Sequence, residues 1–195
     1  MTPGVGCIRD ATRPRPGRRA RVGSGLTLLE LLIGLTIGAL LMLLAGPGYR
    51  RWIADAEVRD RVEALVNGMG MARAEAIKRG LRVNLCQSDD GAHCTDSGRW
   101  EAGWLVYADE NHNGDLDPDE TVIRTQGPAR PGITARGNKP VAKYVSYTSL
   151  GQTRMQNGAL QMGTFTICRS GHNTVEVVLA NGGRVRVDRT KVPCP

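Results

Sequence analysis

Twenty residues from Leu26 to Ala45 carry a single charge, Glu30, and this run constrains the fold more than any other feature of the chain. As a helix rising about 1.5 Å per residue it spans roughly the 30 Å hydrocarbon core of a bilayer. The preceding residues, 1–25, hold Arg9, Arg13, Arg15, Arg18, Arg19 and Arg21 against one acid, Asp10. Because basic flanks stay on the cytoplasmic side, the expected orientation keeps residues 1–25 in the cytoplasm and places the rest outside. The formal net charge of +7 is therefore largely a property of this leader, and residues 26–195 contain 20 basic and 18 acidic side chains. Any functional basicity in that remainder has to be local.

Gly46-Pro47-Gly48 follows the apolar run, and a proline in a helical pattern predicts a kink or break there. Apolar residues then recur at spacings of three and four: Ile53, Val58, Val62, Leu65, Val66, Met69, Ala72, Ala76 and Ile77. Arg59, Asp60, Glu63, Arg73 and Glu75 occupy the other side of this second, amphipathic half of the helix, over 46–80. Arg79-Gly80 supplies the stop signal, a cation in the last turn and a glycine cap.

After Gly80 the pattern changes to short β-branched runs punctuated by Gly, Asn, Pro and Asp. Strands are predicted over 81–86, 104–108, 121–125, 141–147, 164–168, 174–180 and 184–188, with Asn181-Gly182 as the turn of a final hairpin. Pro128 to Pro140 reads as a long surface loop. The expected fold is thus α+β, a long N-terminal helix packed through its amphipathic half on a small β-rich domain of antiparallel sheets over 81–195. Cys7 lies in the leader, while Cys86, Cys94, Cys168 and Cys194 form an even set suited to an oxidising compartment, with three pairings open.

Gly25-Leu26-Thr27-Leu28-Leu29-Glu30 places a small residue at the end of the basic leader and a carboxylate five residues into the apolar run. A charge at a membrane helix centre costs about 2.5 to 3.5 kcal/mol, so Glu30 calls for a reason. These residues resemble the class III signal of type IV prepilins. That resemblance implies cleavage after Gly25 by a membrane prepilin peptidase, methylation of the new amine on Leu26, and pairing of Glu30 with the amine of a neighbouring subunit. Leu26 departs from the usual Phe. Cys86 to Cys94, the Trp100 to Asp109 stretch with its Gly103-Trp104 step, and Gly183-Arg184-Val185-Arg186 are similar to the GspH/FimT family of minor pilins. The family implies a helix followed by two small antiparallel sheets, partnership with other pilin subunits and an inner-membrane, single-pass precursor with a periplasmic domain. In this setting the expected bridges are Cys86 with Cys94 and Cys168 with Cys194, ahead of a zinc site from Cys86, His93, Cys94 and His172, since thiolates oxidise outside the cytoplasm.

Asp109 to Glu120 follows the twelve-residue calcium-loop pattern, with oxygen side chains at alternating positions, Gly114 sixth and Glu120 last. The flanks read as strands, so a polar hairpin without a cofactor is the expectation, and Asp109, Asn111, Asn113 and Glu120 are the first ligands to test if an ion binds. Period-two alternation puts Arg184 and Arg186 on one face of the last strand, close in sequence to Arg189 and Lys191. Together with the likeness of Gly183–Arg186 to DNA-binding FimT-like pilins, this makes Arg184, Arg186, Arg189 and Lys191 the candidate contacts to double-stranded DNA phosphates. A secretion-type pseudopilin without DNA affinity is the alternative. His93, His112 and His172 show no catalytic spacing, so the chain reads as a non-enzyme.

Overall fold

The computed structural model describes residues 27–194, apart from the side chains of residues 44–47 and 50. The chain divides into two compact units at Ala45. Helix α1 covers Leu28–Arg79. Its first turn is capped by Thr27, whose Oγ1 accepts from the Glu30 amide at 3.2 Å. Glu30 is therefore in the first turn of the described helix and exposed, not at its centre, where an acid is favoured by the unpaired amides of a helix start. In the first unit the apolar side chains from Leu28 to Leu43 are largely exposed.

Of the kink or break expected at Gly46-Pro47-Gly48, the break is not found, because α1 continues through these residues. In the second unit α1 buries Ala54, Val58, Val62, Leu65, Met69, Ala72 and Ala76, one stripe at three- and four-residue intervals. Ile77, expected on that stripe, is exposed. Gly80, at φ +69°, closes the helix by donating its amide to the Ala76 carbonyl.

Eight strands follow: β1 Arg82–Gln87, β2 Trp104–Asp109, β3 Val122–Gln126, β4 Ile133–Gly137, β5 Tyr144–Tyr147, β6 Gly163–Arg169, β7 Asn173–Leu179 and β8 Val185–Pro193. They form two four-stranded antiparallel sheets, ordered β3-β2-β1-β5 and β4-β6-β7-β8. Strand β4 lies inside the stretch expected to be a loop. Its Ile133 and Ala135 are buried, Thr134 and Arg136 are exposed, and it pairs with β6. Pro131 and the flanking glycines hide so short an alternation.

The helix stripe and the inner faces of both sheets share one core, in which Trp100 meets Phe165 edge-on with ring centroids 5.1 Å apart. Every residue of β2 is buried, so this central strand of the first sheet is covered on both faces. Leu105 and Tyr107 point away from the helix into a second cluster with Cys86, Cys94, Leu116 and Tyr144. Among the described residues, one charged side chain enters the main core. Arg61, 4% exposed, donates to the carbonyls of Gly127 and Trp100 and lies 4.0 Å over the Trp104 ring. Burial lowers its pKa to about 10, against the attraction of Glu101. Two disulfides join Cys86 to Cys94 beside the first sheet and Cys168 to Cys194 at the end of β8.

Candidate functional site

Gly25 and Leu26, the residues of the expected cleavage site, lie outside the described residues. The basic cluster near the C-terminus is described, and it is not one patch. Strand β8 pairs with β7 so that Val185 faces Leu179, Val187 faces Val177 and Arg189 faces Val175. Leu179 and Val177 are buried, so these odd-numbered positions belong to the helix-facing side. Arg184 and Arg186 take the other side, on the outer face of the sheet, beside a shallow groove containing Pro140, Met162 and Val178. Both are exposed. Arg186 is paired with Asp188, Nε to Oδ2, at 3.0 Å.

Arg189 instead borders a cavity of about 550 Å³ lined also by Arg51, Asp55, Arg59 and His172, all at the start of the packed half of α1 or in the β6–β7 turn. Lys191 is exposed and lies where the β7–β8 register shifts. Val187, on the helix-facing side, is nevertheless 43% exposed, since β8 is the edge strand of its sheet.

The Asn181-Gly182 turn between β7 and β8 is held by a residue that sequence reasoning placed only on the polar helix face. Arg73 donates from Nη1 to the Gly183 carbonyl at 3.3 Å. A Cβ on Gly183, at φ +75°, would fall 2.2 Å from the Gly151 carbonyl oxygen, so only glycine fits this approach. The hairpin carrying Arg184 and Arg186 is thus fixed to α1 and to the 147–151 turn.

The zinc set is dispersed. Cys86 and Cys94 bond to each other, His93 pairs with Asp90 at 2.7 Å, and His172 pairs with Asp55 at 2.8 Å. The loop between β2 and β3 is closed by its own hydrogen bonds. Asn111 and Asn113 both donate side-chain amides to Asp117 Oδ2, and Glu120 accepts from the amides of Glu110 and Asp117. Among the described residues, no three acidic, His or Cys side chains stand close enough to hold a metal ion.

The family model for the type II transport protein GspH matches residues 61–189, from the buried Arg61 of α1 into β8. The chain belongs to this family. A curated relative, the pilin-like protein PilA1 of Thermus thermophilus, is 32% identical over 182 aligned residues, covering 84% of this chain and 97% of that protein. Two crystal structures of the type IV minor pilin FimU of Pseudomonas aeruginosa share the fold. One has a TM-score of 0.53 at 18% identity over 70% of this chain and 95% of FimU, the other 0.50 at 17% over 68% and 97%. The chain is thus a type IV pilin-like minor pilin or pseudopilin. Members of such families are structural, and membership implies assembly with other pilin subunits into a pilus or pseudopilus. Among the described residues no helix is long and apolar enough to cross a membrane.

Proposed function

We propose that this chain is a non-enzymatic minor pilin, cut after Gly25 by a prepilin peptidase and methylated on Leu26. Residues 26–45 hold it in the inner membrane before assembly, with the domain in the periplasm, and Arg184 and Arg186 capture DNA for natural transformation. The exposed leucines and isoleucines of 28–43 support the first part, since so continuous an apolar surface needs lipid or other subunits around it. Glu30 then serves the amine of a neighbouring subunit. The DNA reading rests on one observation, that Arg184 and Arg186 project together from an edge strand whose hairpin Arg73 fixes to the helix. Guanidinium groups on such a mount contact phosphates without reading bases.

The rival reading, a pseudopilin of a type II secretion apparatus with no DNA affinity, is favoured by the Asp188 partner of Arg186 and by the separation of Arg189 from the outer-face pair. A mobility-shift assay on the full chain in detergent, at two salt concentrations, tests between them. With two phosphate contacts, log affinity falls by about 1.8 per log unit of salt, and Arg184→Gln with Arg186→Gln removes the shift. Equal binding by this double variant and the parent overturns the DNA assignment.

A further inference from the structure

The segment joining β2 to β3 carries two independent signs of a ligand. The first is a buried acid. Asp109, at the end of β2, is fully buried. Its Oδ2 accepts from Asn84 Nδ2 at 2.8 Å, while its Oδ1 and the Asn84 Oδ1 have no partner. A buried carboxylate oxygen with no donor costs about 1–3 kcal/mol or more, and a charged one asks for a cation. Residues 109–123 contain six acids and no Lys or Arg, and among the described residues none of the six is ion-paired.

The second sign is where the loop sits. Tyr107 Oη donates to the Gly114 carbonyl at 2.6 Å and receives Asn84 Nδ2 at 3.1 Å. The Asn84 amide therefore links the Asp109 carboxylate to the underside of the loop's central turn. Gly114 has φ +80°, the conformation a calcium loop needs at its sixth residue, and Asn111, Asn113 and Asp117 already meet at one oxygen, at 2.7 and 2.8 Å.

We propose that this loop binds one calcium ion, through Asp109 Oδ1, the side-chain oxygens of Asn111, Asn113, Asp117 and Glu120, and the Asp115 carbonyl. Only three of these six donors are carboxylates, and the remainder are amide and carbonyl oxygens. The set is all oxygen, with the one-three-five-seven-nine-twelve spacing of a calcium loop. Such hard, flexible ligands suit calcium over zinc, and over magnesium, which keeps its waters and demands a regular octahedron. Binding requires inversion of the Asn111 and Asn113 amides, whose Oδ1 atoms accept from the Asn113 and Asp115 backbone amides, and release of Glu120 from the Glu110 and Asp117 amides, a rearrangement that brings together three carboxylates that stand apart in the ion-free loop. Each of these groups is at the exposed or half-buried rim, so neither change disturbs the core. Strands β2 and β3 replace the helices that usually flank such a loop, so the ion joins two neighbouring strands of the first sheet and opens no helix pair.

The test is calorimetric titration of the full chain in detergent, stripped with EDTA, against calcium chloride and in parallel magnesium chloride. The expected result is one calcium per chain with a dissociation constant of about 10⁻⁴ to 10⁻³ M or tighter, as in extracellular calcium modules, and magnesium weaker by about tenfold or more. Glu120→Gln weakens calcium by about tenfold or more with an unchanged circular-dichroism spectrum, and Asp109→Asn abolishes binding. No saturable heat up to ~10 mM calcium, equal affinity for both cations, or parental affinity in Glu120→Gln each overturns the proposal. If Asp109→Asn does not fold, the Glu120→Gln titration decides alone.

Discussion

Gly68 and Gly70 lie two residues apart in α1, and alanine substitution at each should move stability in opposite directions. In a helix interior either Gly→Ala change gains about 1 kcal/mol from backbone entropy and helix propensity. At Gly70 a new Cβ meets nothing within 4 Å, so the gain stands and the melting temperature rises by roughly 2–4 °C. At Gly68 the Cβ would sit 2.9 Å from Trp104 Nε1 and 3.3 Å from Leu85 Cδ1. Trp104 cannot yield easily, being buried, on a central strand and covered by Arg61 at 4.0 Å. Overpacking of this kind costs about 1–3 kcal/mol. Gly68→Ala should therefore be less stable than Gly70→Ala by about 1–3 kcal/mol, or roughly 2–12 °C, and the comparison cancels the helix propensity common to both. Thermal unfolding of the full chain in detergent, followed by tryptophan fluorescence, reads the difference. Equal stabilisation by the two alanines would refute the close approach of α1 to the first sheet.

Burial holds the Tyr107 and Tyr147 phenols well above their usual pKa of 10.0, so both bind their protons more tightly folded than unfolded. Their stabilisation is complete below pH 10 and declines as pH climbs beyond it; in an alkaline titration their phenolate absorbance should appear together with loss of the native tryptophan signal, and phenolate formation at both sites in a folded chain would contradict their burial. Reduction of Cys168–Cys194, which closes 26 residues, should cost about 3.5 kcal/mol, and of Cys86–Cys94, which closes 8, about 2.5 kcal/mol, on the loop-entropy account. Urea unfolding of Cys→Ser pairs measures both, and a larger loss from the shorter loop would show that native contacts, not loop length, set the difference.

The helix was legible because its signals are local: an apolar run, a three-to-four periodicity from Val58 to Ala76, and Arg79-Gly80 at the end. Most strands were legible for the same reason, and β4 was missed because four alternating residues between Pro131 and Gly137 form a strand only when β6 offers them hydrogen-bond partners. Arg61 was invisible as a core residue. Its charge argues for the surface, and only the Trp100 and Gly127 carbonyls and the Trp104 ring, brought from other segments, make its burial tolerable.

The sequence by itself determined the class of molecule: a basic leader with Gly25, an apolar run with one early acid, an amphipathic continuation and an even set of four cysteines are properties of neighbouring residues, and each has one inexpensive physical solution. Tertiary structure alone decided which charges act together. Four cations within eight residues read as one patch along the chain, yet the pleat of β8 and its register against β7 send Arg184 and Arg186 to one face and Arg189 to the other, beside Arg51 and Arg59 of a helix more than a hundred residues earlier. The same holds for Asp109, whose place in a loop motif was plain but whose unpartnered oxygen arises only because β1 brings Asn84 beside it and the loop folds back over Tyr107. Sequence fixes which groups are available, whereas strand pairing fixes their distances, and electrostatic function depends on distance.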